Sequence, residues 1–288
     1  MKKILLTGGS GFVGSNVIRV LQDKYILVAP GRQELDVRDR DAVERFVENE
    51  YFDAIIHLAS PSPVRSPQLD SYDRLFSDCI KIFMNFYAVR KKCGKIIYSG
   101  SGAEYGKHKN ISLVKEEEIG NVLPLDDYGM AKYVLNELAG KSDNIYNLRI
   151  FGCFGPGEYD SKFITHAIRC SLRREAITIR QDCLFDYLYV DNYAKYLEYF
   201  IENEPKYHDY NATSGRRVLL SELADMVSAK MKNEKGYSIT TEGYNFEYTA
   251  DNSRILAETK LENELISLEE GIDRLIAWEI KKYEAESC

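Results

Sequence analysis

The sequence predicts an α/β fold, a doubly wound parallel sheet with a smaller mixed α/β lid. Three observations carry that expectation. Short apolar runs alternate with helical periodicity from the start of the chain to Ile150. A glycine-rich turn, Thr7-Gly8-Gly9-Ser10-Gly11-Phe12-Val13-Gly14, joins the first such run to the first helix. Beyond residue 150 the alternation loosens into helical stretches separated by loops rich in Gly, Tyr and Asn. Regular strand–helix alternation means parallel strands covered by helices on both faces.

Taken in order, residues 4–7 form a short apolar run and so a buried strand. Residues 13–23 are helical in pattern, with Val13, Val17, Val20 and Leu21 to one side. A second strand covers 25–29. A short amphipathic helix covers 40–50, with Ala42, Val43, Phe46 and Val47 inward. A third strand covers 54–58, and Ser60-Pro61-Ser62-Pro63 breaks the chain after it. A long helix over 72–92 leads to a strand at 95–99. A helix at 128–139 leads to a strand at 145–150. Helical stretches follow at 163–174, 192–202, 220–232 and 268–283.

The helix at 72–92 is apolar around most of its circumference, with Leu75, Phe76, Cys79, Ile80, Ile82, Phe83, Phe86, Tyr87 and Val89. A helix lying on a sheet needs only one apolar stripe. The surplus calls for an inserted segment of the same chain or, as the preferred reading, a second subunit. The expected division is a cofactor-binding unit at 1–152 with part of 184–212, and a substrate-binding lid at 153–183 and 213–288.

Apolar residues make up 44% and charged residues 29%, the balance of a soluble globular chain. The net charge of −7 without long like-charge blocks disfavours nucleic acid as a partner. Cys79, Cys93, Cys153, Cys170, Cys183 and Cys288 form no C-x-x-C pair and no zinc-like cluster, so no metal is expected. Scattered thiols of this kind fit a cytoplasmic protein. The run after Met1-Lys2-Lys3 is too short for a signal peptide, and no run approaches the roughly 18 apolar residues of a membrane span.

Gly8, Gly11 and Gly14 follow a strand and open a helix. They permit a tight turn, close backbone approach to a pyrophosphate, and a helix set close to the strand. The helix N-terminus adds free N–H groups and the positive end of its dipole. An NAD site usually puts a carboxylate near the end of the second strand, on the ribose 2′-OH. Here that strand ends Val28-Ala29-Pro30-Gly31-Arg32, with no carboxylate before Glu34. Arg32 suits a 2′-phosphate instead, so NADP(H) is favoured, with NAD(H) as the alternative.

Tyr128 and Lys132 are four apart and share one helix face. A neighbouring ammonium favours the phenolate and makes a tyrosine a usable acid–base group. Such pairs are common in a chain with 21 tyrosines, so the weight lies in this one following the glycine loop in order. Ser99-Gly100-Ser101-Gly102-Ala103-Glu104-Tyr105-Gly106 follows the fourth strand, where loops face the ligand crevice.

With those residues in place, most of the chain resembles the extended short-chain dehydrogenase/reductases, a Rossmann-fold group of nucleotide-sugar epimerases, dehydratases and reductases. The matching pieces are the Thr7–Gly14 loop, His57-Leu-Ala-Ser60, Tyr98-Ser-Gly-Ser101 through Tyr105-Gly106, and Tyr128 with Lys132. Leu148-Arg-Ile-Phe151 through Phe154-Gly-Pro156, Asp186-Tyr-Leu-Tyr-Val-Asp191 and Tyr210-Asn-Ala-Thr-Ser-Gly215 complete them. The resemblance implies Ser101, Tyr128 and Lys132 as a catalytic triad. It implies cofactor contacts from Gly8, Gly11, Phe12, Val13, Arg32, Asp36, Leu58, Ala59 and Ser60 as well as from Tyr128 and Lys132. Substrate contacts would come from Ser101, Gly102, Ala103, His166 and Arg174, and substrate choice from the lid and the 60–67 loop. A homodimer through helices 72–92 and 128–139 is the family expectation.

Departures narrow the chemistry. Where the 4,6-dehydratases carry Asp-Glu after the catalytic serine or threonine, this chain has Gly102-Ala103. Glu104 follows, at a place usually apolar. The GDP-fucose synthase branch carries a cysteine where Ala103 stands and a histidine matched by His166. Its diphosphate-binding arginine is matched by Arg174, and a second arginine is replaced by Phe185. The usual helix asparagine falls near Asp78. The expectation is therefore NADPH-dependent reduction of a nucleotide-linked 4-keto sugar. A nucleotide-sugar 4-epimerase using NAD is the alternative, and a non-catalytic cofactor sensor ranks last.

Overall fold

The computed structural model describes residues 1–61 and 72–286. Residues 62–67 of the loop expected to contact substrate lie outside them. The first half runs β1 (Lys3–Thr7), α1 (Phe12–Leu21), β2 (Ile26–Val28), α2 (Arg40–Glu48), β3 (Ala54–His57) and α3 (Leu75–Val89). It continues with β4 (Lys95–Ser101), β5 (Ile111–Val114), α4 (Asp127–Ala139) and β6 (Ile145–Ile150). Then come β7 (Gly152–Phe154), α5 (Phe163–Leu172), β8 (Ile177–Ile179), β9 (Leu184–Phe185), β10 (Tyr187–Tyr189) and α6 (Val190–Glu202). The chain goes on through β11 (Asp209–Ala212), β12 (Val218–Leu219), α7 (Leu220–Met231), β13 (Tyr237–Ile239) and β14 (Tyr248–Ala250). It closes with α8 (Ser253–Thr259) and α9 (Leu268–Glu286).

Among the described residues, six strands form the central sheet in the order β2-β1-β3-β4-β6-β11. Every pairing in it is parallel. The period-2 alternation of a strand divides the core in two. Ile4 and Leu6 of β1 face Val17 and Leu21 of α1, with Leu197 and Phe200 of α6. Leu5, between them, faces the other way, toward Val43 of α2, Phe86 of α3 and Leu135 of α4. The expected doubly wound sheet is therefore present. Parallel pairing also puts the carboxyl ends of β1, β3, β4 and β6 (Thr7, His57, Ser101 and Ile150) at one edge, where a crevice opens.

A separate apolar cluster joins α5, α7 and α9 through Ile168, Val227 and Ile272. Small sheets lie there, β12-β9-β14-β5, β10-β7 and β13-β8. β5 and β14 escaped the sequence reading, because three or four residues carry too little periodicity to register. β5 comes from the first half of the chain yet pairs with β14. Much of the apolar surplus of α3 is met within the chain by α2 and α4. Phe76 and Met84 stay 38% exposed. No helix among the described residues is long and apolar enough to cross a membrane.

Candidate active site

The glycine loop is shaped by close backbone approach. Gly8 has φ +77°, and a Cβ there would lie 2.8 Å from the Ala59 nitrogen. A Cβ on Gly14 would lie 2.1 Å from the Gly8 carbonyl oxygen, so α1 can start against the turn only with glycine there. Gly11 caps α1 without any side-chain hydrogen bond, which leaves first-turn N–H groups for a ligand. Below the loop, Thr7 Oγ1 lies 2.8 Å from His57 Nδ1 and accepts from the Ala59 N–H at 3.3 Å. Burial, helped by the nearby Lys132 charge, pushes the His57 imidazole down to about 3, so it is neutral. The cradle fits a dinucleotide.

At the end of β2, Arg32 is exposed and Asp36 partly buried. The Arg38 N–H and Nε–H donate to Asp36 Oδ1 at 3.0 and 3.2 Å, and Arg32 Nε stands 4.0 Å from Asp36 Oδ2. Asp36 is thus engaged by arginine, and two guanidinium groups border the cavity here. Sequence reasoning missed Arg38, since nothing in its spacing from the strand marks it.

Ser101 ends β4, and Tyr128 stands in the first turn of α4, which Asp126 caps by accepting from the Gly129 N–H at 2.8 Å. Lys132 follows one turn later and is buried. Its Nζ donates to the Ser99 carbonyl oxygen at 2.8 Å and lies 5.7 Å from the Tyr128 ring centroid. Gly129 lets α4 approach, because a Cβ there would fall 2.7 Å from the Ala103 oxygen. Ser101 Oγ accepts from the Ala103 N–H at 3.2 Å.

One cavity of about 550 Å³ brings these groups together. Gly8, Gly11, Phe12, Val13, Arg32, Asp36, Leu58, Ala59, Ser60, Ser101, Tyr128 and Lys132 all line it. Gly102 and Ala103 are buried behind Ser101 and do not. Nor do His166 and Arg174. His166 sits a turn into α5, roughly 5 Å along its axis from the cavity end, and its Nε2 is 3.0 Å from Thr178 Oγ1. Arg174 lies exposed beyond the far end of that helix. The start of α5, at Lys162, is what reaches the cavity.

Lys107, Cys153, Glu158, Lys162 and Tyr248 also line the cavity, and the sequence marked none of them as site residues. Lys107 Nζ lies 4.6 Å from the Tyr248 ring centroid. Glu158 is buried and accepts from Thr165 Oγ1 at 3.0 Å. Burial pushes its carboxyl up to about 8, against the smaller pulls of Thr165 and Lys162. Burial lowers Lys162, opposed by Glu158. Neither Lys107 nor Lys162 has an ion-pair partner among the described residues. Burial lowers Lys107 as well, opposed by Tyr128 and Asp126.

Residues 4–213 match the family described as NAD dependent epimerase/dehydratase. An ADP-L-glycero-D-manno-heptose-6-epimerase of Brachyspira hyodysenteriae is 23% identical over 80% of this chain and 81% of its own length. Two plant 4-epimerases match only over 38% and 47% of their lengths, so the chain spans under half of each. Among solved structures, a UDP-glucose 4-epimerase from Thermotoga maritima, with UDP-glucose, has a TM-score of 0.82 at 22% identity. The alignment covers 98% of this chain and 99% of that one. A GDP-L-fucose synthetase from Naegleria fowleri, bound to NADP, has a TM-score of 0.80 at 19% identity, covering 98% and 94%. At such identities the structural likeness speaks for the fold.

Proposed function

This chain belongs to the NAD dependent epimerase/dehydratase family, and we propose that it reduces a nucleotide-linked 4-keto sugar of the 6-deoxy type with NADPH. The observation that carries this reading is the meeting of Ser101, Tyr128 and Lys132 with the glycine loop around one cavity. Bound along that loop, a nicotinamide cofactor would supply hydride to the sugar carbon. Tyr128 gives the proton to the sugar oxygen. Lys132, anchored on Ser99, holds its ammonium beside the Tyr128 ring. The Ser101 hydroxyl orients the carbonyl by donating to its oxygen.

Arg32 and Arg38 support NADPH over NADH, since a 2′-phosphate would meet two planar donors there. Lys107 and Lys162, two amines lining one cavity, support an anionic substrate such as a nucleotide diphosphate. A 4-epimerase is the second reading, favoured by the epimerase names of the relatives. It needs the same three residues and no net redox change. In the proposed assembly, two copies pair through α3 and α4, over the ridge of Phe76, Ile80 and Met84.

The test is calorimetric titration with NADPH and NADH, followed by turnover assays. Tight NADPH, weak NADH and NADPH oxidation by a nucleotide-linked 4-keto-6-deoxy sugar are expected. Tightly retained NAD with interconversion of UDP-glucose and UDP-galactose would replace the reductase with the epimerase.

A further inference from the structure

Glu104 has no part in the reaction just described, and the resemblance expects an apolar residue at its position. It is nonetheless fully buried, together with Arg149 and Asn147. One carboxylate oxygen, Oε1, accepts from the Ser101 N–H at 2.9 Å. The other, Oε2, accepts from Arg149 Nε at 2.5 Å and Asn147 Nδ2 at 3.1 Å. The same Asn147 amide donates to Asn136 Oδ1 at 2.9 Å, on α4 one turn beyond Lys132. Arg149 is held from behind by Asp209 Oδ2, 2.7 Å from its Nη2.

We propose that Glu104 is a positioning residue, a buried carboxylate that locks Ser101 in register with the helix carrying Tyr128 and Lys132. This rests on the reading that Ser101 donates a hydrogen bond to substrate. The Ser101 backbone is extended, and its N–H and side chain are both used to hold the short 3-10 turn Gly102–Tyr105. The Ala103 N–H donates to Oγ, and Tyr248 is a second side-chain partner of Ser101 in the cavity lining. Without Glu104 the Ser101 end of the turn would be capped by Oγ alone, the atom the substrate also needs. Space is made for the carboxylate at Gly100, where a Cβ would lie 2.5 Å from Glu104 Oε1 and 2.0 Å from Asn147 Oδ1.

The arrangement demands a carboxylate. Both oxygens face N–H donors, and a carboxylate is acceptor-only. A glutamine would turn its NH2 toward either Ser101 N–H or Arg149 Nε–H, and one contact would be lost. The cost should appear at Ser101 before it appears in cofactor binding.

Two readouts test this on the full chain. In the ligand-free protein, Glu104→Gln should speed amide hydrogen exchange at Ser101 by about tenfold or more, with Ile97 earlier in β4 little changed. Glu104→Asp keeps the charge beside Arg149 while drawing the oxygen back, and reports the same loss if the glutamine variant does not fold. In turnover of whichever nucleotide sugar the wild type converts, Glu104→Gln should lower kcat about tenfold with cofactor Kd within about twofold. In a Ser101→Ala background the further loss should be under about twofold, because the residue it positions is gone. Unchanged Ser101 protection, or an equal cost in both backgrounds, would overturn the proposal. Absence of any turnover would count against the enzymatic reading alone, and Ser101 exchange would still decide the role of Glu104.

Discussion

Tyr128 and Lys132 lie one turn apart on α4, and that spacing is visible in the sequence because a helix converts it directly into proximity. Ser101 comes from the resemblance, since the sequence ends its strand at Ser99 and the structure carries β4 on to Ser101. If Tyr128 is the proton donor, Tyr128→Phe should lower turnover by ~10²–10⁴-fold while leaving cofactor affinity nearly intact. Persistent turnover in a steady-state assay would mean the proton comes from elsewhere. Arg38 was not legible, yet it stands with Arg32 around Asp36. Arg32→Ala and Arg38→Ala should each weaken NADPH by roughly tenfold, the worth of one charge-assisted hydrogen bond. NADH should change little, and an equal loss for both cofactors in calorimetry would remove the basis for preferring NADPH. His166 and Arg174 were read from position alone, and the packing of α5 takes both away from the cavity.

At the scale of elements, long periodic segments were the readable ones. The strand Ile145–Ile150 has the expected bounds, and α4 differs from them by one residue. The strands β7, β8 and β9 of the small sheets are only two or three residues long and are held by pairing rather than by local preference. The helix α3 shows the limit of periodicity. Its apolar excess was visible, but α2 and α4 absorb much of it, leaving Phe76 and Met84 exposed on an i, i+4, i+8 ridge with Ile80. If that ridge joins two copies, Phe76→Asp with Met84→Asp should shift the wild-type dimer to a 33.1 kDa monomer in sedimentation equilibrium. A wild-type chain that sediments as a monomer at micromolar concentration would refute the pairing.

Over the whole molecule, two of the buried titratable groups contribute to stability with opposite pH dependence. His57 falls to about 3 in the fold from an ordinary value near 6.5. The unfolded chain therefore binds the extra proton between those values, and stability from this group is lost as pH falls below about 6.5. Glu158 rises to about 8 from 4.5. The fold holds that proton longer, so its contribution is complete below about 4.5 and is lost as pH rises toward 8. Each slope approaches roughly 1.4 kcal/mol per pH unit within its window, and the two oppose each other between about 4.5 and 6.5. Glu158→Gln should therefore gain stability relative to wild type as pH rises from 5 to 8, measured by urea unfolding. A difference independent of pH would mean Glu158 is ionised in the fold.

The chain by itself determined the parallel sheet, the glycine-rich turn, and the order in which serine, tyrosine and lysine reach the crevice. Each of these is written in local spacing, as a period of two, a period near 3.6, or glycines at fixed offsets. Only the tertiary structure decided that Glu104 grips Ser101, that Arg149 and Asn147 hold Glu104, that Arg38 joins Arg32, and that Glu158, Lys162 and Tyr248 close the far wall. The cavity gathers residues as many as 147 positions apart (Ser101 to Tyr248). No local rule encodes such a distance, because it is set by how the helices and sheets pack.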